Sequence, residues 1–336
     1  MSSLKEVANL SNVSIATVSR VINNDPKVSF KTKLKVESVI QRLNYLPNRV
    51  AQRLRSSHRK TKLIGLVIPD IQNPFYVDVV RGVEEYSYQN GFAVMIGNFG
   101  QDEKKQQMYL EILQSENVDG FILAPALERD DKVRELVDNR FPLVCIDREL
   151  HNSVSDVVKV DNTKGAFMAI DHLLGLGHRK IAVISGNLTI QTYIDRLQGY
   201  KMALEKHKVQ YNPALIFAKG SDFLSGVELT NQILEMDIDK RPTAIFTANN
   251  LITLGSLETV HKKNIKIPED ISIVGFDDMY WSSSLNPPLT AVSQPGFEIG
   301  KKAADMLNKR IMNPEKPMES IELKTKLIIR KSTKTI

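Results

Sequence analysis

Residues 4–22 read LKEVANLSNVSIATVSRVI. Leu4, Val7 and Ala8 fall at helical spacing, and Val18, Val21 and Ile22 repeat it. Between the two sets lies the short polar break Asn12-Val13-Ser14. The Ser14 hydroxyl is placed to accept from the first free N–H groups of the second helix. Two short helices joined this tightly bury one face against each other. The opposite face of the second helix carries Ile15, Ala16, Ser19, Arg20 and Asn23. Nothing on that face serves a core, and it suits the major groove of DNA.

Charge points the same way. Residues 1–60 hold 12 Lys or Arg against 3 Asp or Glu, whereas the remaining 276 residues hold 33 against 36. The basicity therefore belongs to the N-terminal module, and a polyanion is its simplest partner. A third helix follows, with Ser29 as cap and Leu34, Val36, Val39, Ile40 and Leu43 as its apolar side. Tyr45 and Leu46 are expected to pack back on the three-helix unit, which Asn44 and Pro47 terminate. The stretch Asn48–Arg55 has good helix formers but is barely two turns long. Such a helix is marginal alone and folds only on a partner surface. Its hinge residues Arg49, Val50, Ala51 and Arg53 lead into a polar linker.

These residues carry a family resemblance. VSIATVSRVIN, KVSFKTKLKV and LNYLPNRVAQRL, in that order, resemble the DNA-binding head of the lactose/galactose repressor family (LacI/GalR). The resemblance implies that Ile15, Ala16 and Arg20 read base edges. Arg20 would pair two-pronged with guanine, and the apolar pair would meet thymine methyl groups. Ser19, Asn23, Ser29 and Thr32 match phosphate-contacting positions. Leu54 matches a leucine that wedges into a minor-groove base step. The plainer alternative for Leu54 is a linker residue without a role.

From residue 62 the pattern changes. Apolar runs at Leu63–Ile68, Ala93–Ile96, Gly120–Leu123, Leu143–Ile146, Val157–Val160, Ile181–Ile184, Ala244–Phe246 and Ile271–Val274 alternate with amphipathic stretches. Those stretches, at 75–90, 103–116, 163–175, 195–207, 225–236 and 251–263, have helical length and period. Strands apolar on both faces, alternating with helices, predict doubly wound α/β architecture. The strand total is large for one sheet. A break near Val160-Asp161-Asn162 divides it into two similar halves with a cleft between them.

IGLVIPDIQNPFY, VDGFILAP, DNTKGAFMAIDHLLGLGHRKIAVISG, RLQGYKMAL and IPEDISIVGFDDMYWSSSLNPPLTAVSQP resemble the effector domain of the same family, whose fold is periplasmic-binding-protein-like, type I. The resemblance implies a helix-turn-helix head (1–47), a hinge and linker (48–61), and an effector and dimerisation domain (62–336). In that domain the chain crosses three times between subdomains, approximately 62–160 plus 291–322 and 161–290 plus 323–336.

Ligand groups belong at the C-terminal ends of strands. Phe75, Tyr76, Phe223 and Trp281 are aromatic candidates there, suited to stacking on sugar C–H faces. Arg196 and Asp277 match effector-binding residues of the family. Asn73, Asp147, Arg148, Asp161, Asn249 and Gln294 complete the candidate set. Several have duller alternatives. Phe75 could be core, Asp277 could cap a helix, Arg196 could pair with Asp195, and Trp281 could pack under Pro287-Pro288. Asn250 stands where the family more often has aspartate.

Other classes find little support. Gly175-Leu-Gly177-His178 closes a helix and precedes a strand, the reverse of a dinucleotide fingerprint, so an NAD enzyme is the weakest rival. The six histidines are scattered without metal spacing, and no nucleophile motif accompanies Asp277-Asp278. Cys145, the single cysteine, lies in an apolar run. It suits a reducing compartment and an inert strand position. No basic stretch leading into an apolar run opens the chain, and no apolar run reaches membrane-spanning length. A transported-sugar binding protein would show the opposite pattern.

The reading is a soluble cytoplasmic, non-enzymatic transcriptional repressor without cofactor or metal. It would act as a homodimer on a pseudo-palindromic operator and respond to a small effector, a sugar or sugar derivative. Control by a protein partner is the alternative.

Overall fold

The computed structural model describes residues 3–22, 25–45, 60–127, 129–151 and 153–336. They fall into two compact units, one up to Thr61 and one from Lys62.

In the first unit, α1 (Leu4–Ser11), α2 (Ile15–Ile22) and α3 (Phe30–Arg42) enclose Val7, Ala8, Val18, Val21, Val36, Val39 and Tyr45. Asn12 takes a left-handed conformation (φ 49°) that ends α1 and turns the chain into α2. Ser14 Oγ accepts from Thr17 N–H at 3.1 Å, which is the cap expected for α2. Leu34, expected on the apolar side of α3, is 51 % exposed instead. It lies two residues from Val36, and on a helix that spacing points away from the buried face. Leu46 lies outside the described residues.

The second unit contains two six-stranded sheets. The first has the order β11-β5-β4-β3-β1-β2. Its strands are β1 (Leu63–Ile68), β2 (Ala93–Asn98), β3 (Gly120–Leu123), β4 (Leu143–Ile146), β5 (Asp156–Val160) and β11 (Ser320–Leu323), all parallel. The second has the order β12-β10-β9-β8-β6-β7. It consists of β6 (Ile181–Ser185), β7 (Ile216–Ala218), β8 (Ala244–Thr247), β9 (Ser272–Phe276), β10 (Thr290–Ser293) and β12 (Lys326–Ile328). Only its edge strand β12 runs antiparallel.

The runs apolar on both faces, such as β1, β4 and β9, are buried along their full length because helices cover both sides of each sheet. On the first sheet these are α4 (Pro74–Gln89), α5 (Glu103–Ser115), α6 (Asp131–Asp138) and α11 (Gly296–Met312). On the second they are α7 (Asn162–Gly175), α8 (Gln191–Lys206), α9 (Phe223–Leu234) and α10 (Asn250–Lys262). Helices α4 and α11 touch backbone to backbone. A Cβ on Gly82 would stand 2.0 Å from Phe297 O, so glycine is required there.

The chain passes between the sheets after β5, after β10 and after β11. Asp161 N–H donates to Leu323 O at 3.3 Å, joining the first crossing to the third. Two expected boundaries move. Residues 291–293 belong to β10 and pair with β9 and β12 in the second sheet, so the return follows Ser293. Leu323 likewise ends β11 in the first sheet.

Cys145 is fully buried in β4, where the Ser155 hydroxyl donates to its sulfur at 3.4 Å. Burial pushes its thiol up to about 12. Thiol reagents at neutral pH are therefore expected to label the folded protein negligibly and to label it stoichiometrically in denaturant. Rapid labelling of the native chain, followed by absorbance, would contradict this packing. Among the described residues no helix is long and apolar enough to cross a membrane. No cluster of His, Cys, Asp or Glu among them could hold a metal ion.

Candidate functional site

The N-terminal unit presents α2 edge-on to solvent. Val18 and Val21 anchor it in the core. Ile15 is 40 % exposed, Ala16 and Arg20 are exposed, and Ser19 is half-buried. One face thus combines an unpaired-charge-free apolar step with one guanidinium, the composition that can read base edges. At the start of α3, Ser29 Oγ accepts from Thr32 N–H at 3.3 Å and shares a 2.9 Å bond with Thr32 Oγ1. These hydroxyls and the free N–H groups of that helix end form an arrangement that suits a phosphate. Asn23 and the hinge residues Arg49, Val50, Ala51, Arg53 and Leu54 lie outside the described residues.

The larger unit carries a polar cavity at the C-terminal ends of both sheets. The first sheet contributes Asp70, Asn73, Phe75 and Tyr76 after β1, Gln101 after β2, and Asp147 and Arg148 after β4. The second contributes Thr192, Tyr193 and Arg196 from α8, Ser221, Asn249, Leu251, and Asp277 after β9. Gln294, on the second crossing, closes the ring.

The two halves repeat one device. β4 and β9 hold equivalent places in their sheets, and each is followed at once by an aspartate with positive φ: Asp147 at 64° and Asp277 at 77°. Non-glycine residues pay strain to sit there, and aspartate is among the types that tolerate it. The turn aims a carboxylate into the cavity from either side. Tyr76 donates its hydroxyl to Asp147 at 2.8 Å. Burial pushes the Tyr76 phenol well up, with the Asp147 charge adding to it, so the hydroxyl remains a donor. Burial also raises the carboxyl of Asp277, and the Asp147 charge adds to that. The Arg196 guanidinium and a hydrogen bond from Gln294 oppose the rise.

Arg196 is 5 % exposed. Its Nε donates to Asn162 Oδ1 at 2.9 Å, one terminal nitrogen donates to Ala248 O, and its plane lies 3.7 Å from the centre of the Phe276 ring. The alternative pairing with Asp195 does not occur, since Gln191 takes that carboxylate. Arg148 donates to Gln101 Oε1 and Pro125 O, both at 3.1 Å, while its buried Nε has no hydrogen-bond partner. Asn249 donates to Tyr193 Oη at 2.8 Å and Ser221 O at 2.9 Å, and its Oδ1 caps α10. Both its donors are thus occupied, and it positions Tyr193.

Nine of the expected residues therefore converge: Asn73, Phe75, Tyr76, Asp147, Arg148, Arg196, Asn249, Asp277 and Gln294. Three do not line the cavity. Asp161 caps α7, accepting from Lys164 N–H at 2.8 Å. Phe223 starts α9, and Trp281 stacks edge-on against Tyr280 with ring centres 4.7 Å apart. Sequence reasoning missed Asp70, Gln101, Thr192, Tyr193, Ser221 and Leu251. For Tyr193 a signal existed, because it lies three residues before Arg196 on one helix and so shares its face.

One chain that carries both a basic helix-turn-helix unit and a unit with a two-sheet cavity defines a DNA-binding regulator under ligand control. The comparisons agree. Residues 3–48 match the bacterial regulatory proteins of the lacI family, and residues 170–333 match the periplasmic binding protein-like domain. The ribose operon repressor of Haemophilus influenzae is 36 % identical over 332 residues, covering 99 % of this chain and 98 % of that protein. A LacI family transcriptional regulator from Enterococcus faecium, solved with bound ribose, is 30 % identical with a TM-score of 0.74, covering 82 % of this chain and 99 % of that one. The Lac repressor dimer bound to operator and the anti-inducer ONPF is 27 % identical with a TM-score of 0.85, covering 99 % of each chain. The chain belongs to the LacI family of transcriptional regulators. It is a DNA-binding repressor controlled by a ligand, and not an enzyme.

Proposed function

We propose that this repressor takes a free pentose of the ribose class as its effector. One observation carries the reading: Asp147 with Arg148 on one wall and Asp277 with Arg196 on the other line a single cavity together with the aromatic side chains Phe75, Tyr76 and Tyr193. Each carboxylate accepts hydroxyl protons and each guanidinium donates to ring or hydroxyl oxygens. The aromatic faces meet C–H surfaces. With Asp70 counted, the lining holds three carboxylates and two guanidiniums, which favours a neutral polyol over a sugar phosphate. The ribose-bound relative supports the same class.

D-ribose at about 100 times its dissociation constant would stabilise the folded protein by about 2.7 kcal/mol. That amounts to an upward shift in Tm of roughly 5–10 °C. Thermal unfolding with ribose, ribose 5-phosphate and free purines tests it. Stabilisation by a purine or the phosphate, and none by ribose, would overturn the assignment.

On the nucleic-acid side, a cytoplasmic homodimer would place two copies of α2 on a pseudo-palindromic operator. Ile15, Ala16 and Arg20 would read bases, while Ser19, Asn23, Ser29 and Thr32 hold phosphates. Leu54 would enter the minor groove from the 48–61 hinge, to which Arg49, Val50, Ala51 and Arg53 would belong. Arg20→Ala should weaken operator binding by about 10–100-fold and relax preference at one base pair. Ser29→Ala should weaken all sequences alike. Fluorescence anisotropy on operator variants separates the two. A uniform loss in Arg20→Ala would remove it from base reading.

A further inference from the structure

We propose that Asn250 is a positioning residue that fastens the two walls of the ligand cleft directly to each other and so sets the affinity for the effector. Its Nδ2 donates to Asn73 Oδ1 at 2.7 Å, and its residue is 2 % exposed. Asn73 opens α4 on the first sheet, and Asn250 opens α10 on the second. The direction of this bond is fixed. Asn73 Oδ1 also caps α4, accepting from Phe75 N–H at 2.9 Å, so the oxygen and not the amide nitrogen faces Asn250. Asn250 must then present its NH2 group. Its own Oδ1 is left buried without a partner.

An aspartate at this position would carry an acid onto the first turn of α10, where the helix dipole favours negative charge. It would also set acceptor against acceptor at the Asn73 oxygen, in a cavity that already holds Asp70, Asp147 and Asp277. The amide gives up the first interaction and supplies the donor that only the second arrangement needs. The bond joins the walls without passing through whatever the cleft contains. It therefore favours the arrangement in which the two walls are joined at every ligand concentration and lowers the differential affinity an effector must supply. This rests on the pentose reading for its ligand arm alone.

The test uses the full-length protein and the variants N250D and N73D. An aspartate at 73 retains an acceptor for both Phe75 N–H and Asn250, whereas N250D removes the donor. Small-angle scattering without sugar should show N250D more expanded than the parent, with N73D as compact as the parent. Saturating D-ribose should bring N250D back to the parent profile, and calorimetry should show about tenfold weaker ribose binding. A residue that merely supports α10 would not produce that convergence. An N250D protein that scatters like the parent and binds ribose within twofold overturns the proposal, as does an N73D protein that expands as N250D does. If ribose fails to bind the parent, the pentose assignment falls, while the scattering comparison still decides the role of Asn250.

Discussion

Arg196→Leu is expected to remove effector binding almost entirely, weakening it by about 2–5 kcal/mol. The loss exceeds one ligand contact because the side chain is shared. Asn162 Oδ1 and the Ala248 carbonyl accept from it inside the protein, and both would be left without a donor. The Phe276 ring would lose the cation stacked 3.7 Å from its centre. Arg196 also opposes the burial that raises the carboxyl of Asp277. Without it that carboxyl rises further, so Asp277 becomes protonated at a higher pH and loses its capacity to accept a hydroxyl proton. Residual ribose binding by the variant should therefore improve as pH rises, and the same rise should be complete at a lower pH in the parent. Calorimetry as a function of pH reads both effects. Binding within threefold of the parent would show that Arg196 is only a structural cation.

The second large effect lies at the opposite end of the first sheet. Arg310→Met is expected to destabilise the protein by about 3–5 kcal/mol while leaving the cleft residues in place. Arg310, 3 % exposed near the end of α11, grips Asp156 with Nε at 2.8 Å and a terminal nitrogen at 3.1 Å. Its remaining donors serve the carbonyls of Pro314 and Pro317 at 3.0 Å and that of Lys316. Asp156 in turn accepts from Glu319 N–H at 2.8 Å. The pair thus fixes the segment that delivers β11 beside β5. Truncation strands a buried carboxylate and several carbonyls together. Replacing both partners by apolar residues should cost less than Arg310→Met alone, because no uncompensated charge remains inside. Urea unfolding of the single and double variants tests this. Equal losses would mean that the stranded charge is not the source of the damage.

Much of this architecture could be read from the chain. Runs such as LIGLVI and LVCI are apolar on both faces and long enough to be recognised, and they became central strands. The three-residue strands β7 and β12 carry no period and exist through their neighbours. Helix α11 is legible in the same way. Ile299, Ala303, Met306, Leu307 and Ile311 repeat at helical spacing and are buried together. For the cavity, family resemblance points to Arg196 and Asp277, while Asp147 and Arg148 are candidates by their place after a strand, and that place does not fix where a side chain points. Asp161 follows β5 as Asp147 follows β4, yet its carboxylate turns to the Lys164 N–H and leaves the cavity. Cap chemistry there outweighs the general rule about strand ends.

The repeated passage of the chain from one sheet to the other has a mechanical consequence. After β5, β10 and β11 the backbone makes separate covalent ties between the halves. A protease nick in any single tie leaves the others intact, so the cut protein should still migrate as one particle on a native gel. It should fall into fragments only in detergent. Multiple ties also resist sliding of one half past the other and leave bending as the easy motion. A ligand acting here therefore works by changing an angle, with small displacements at the joint and larger ones at the far rims.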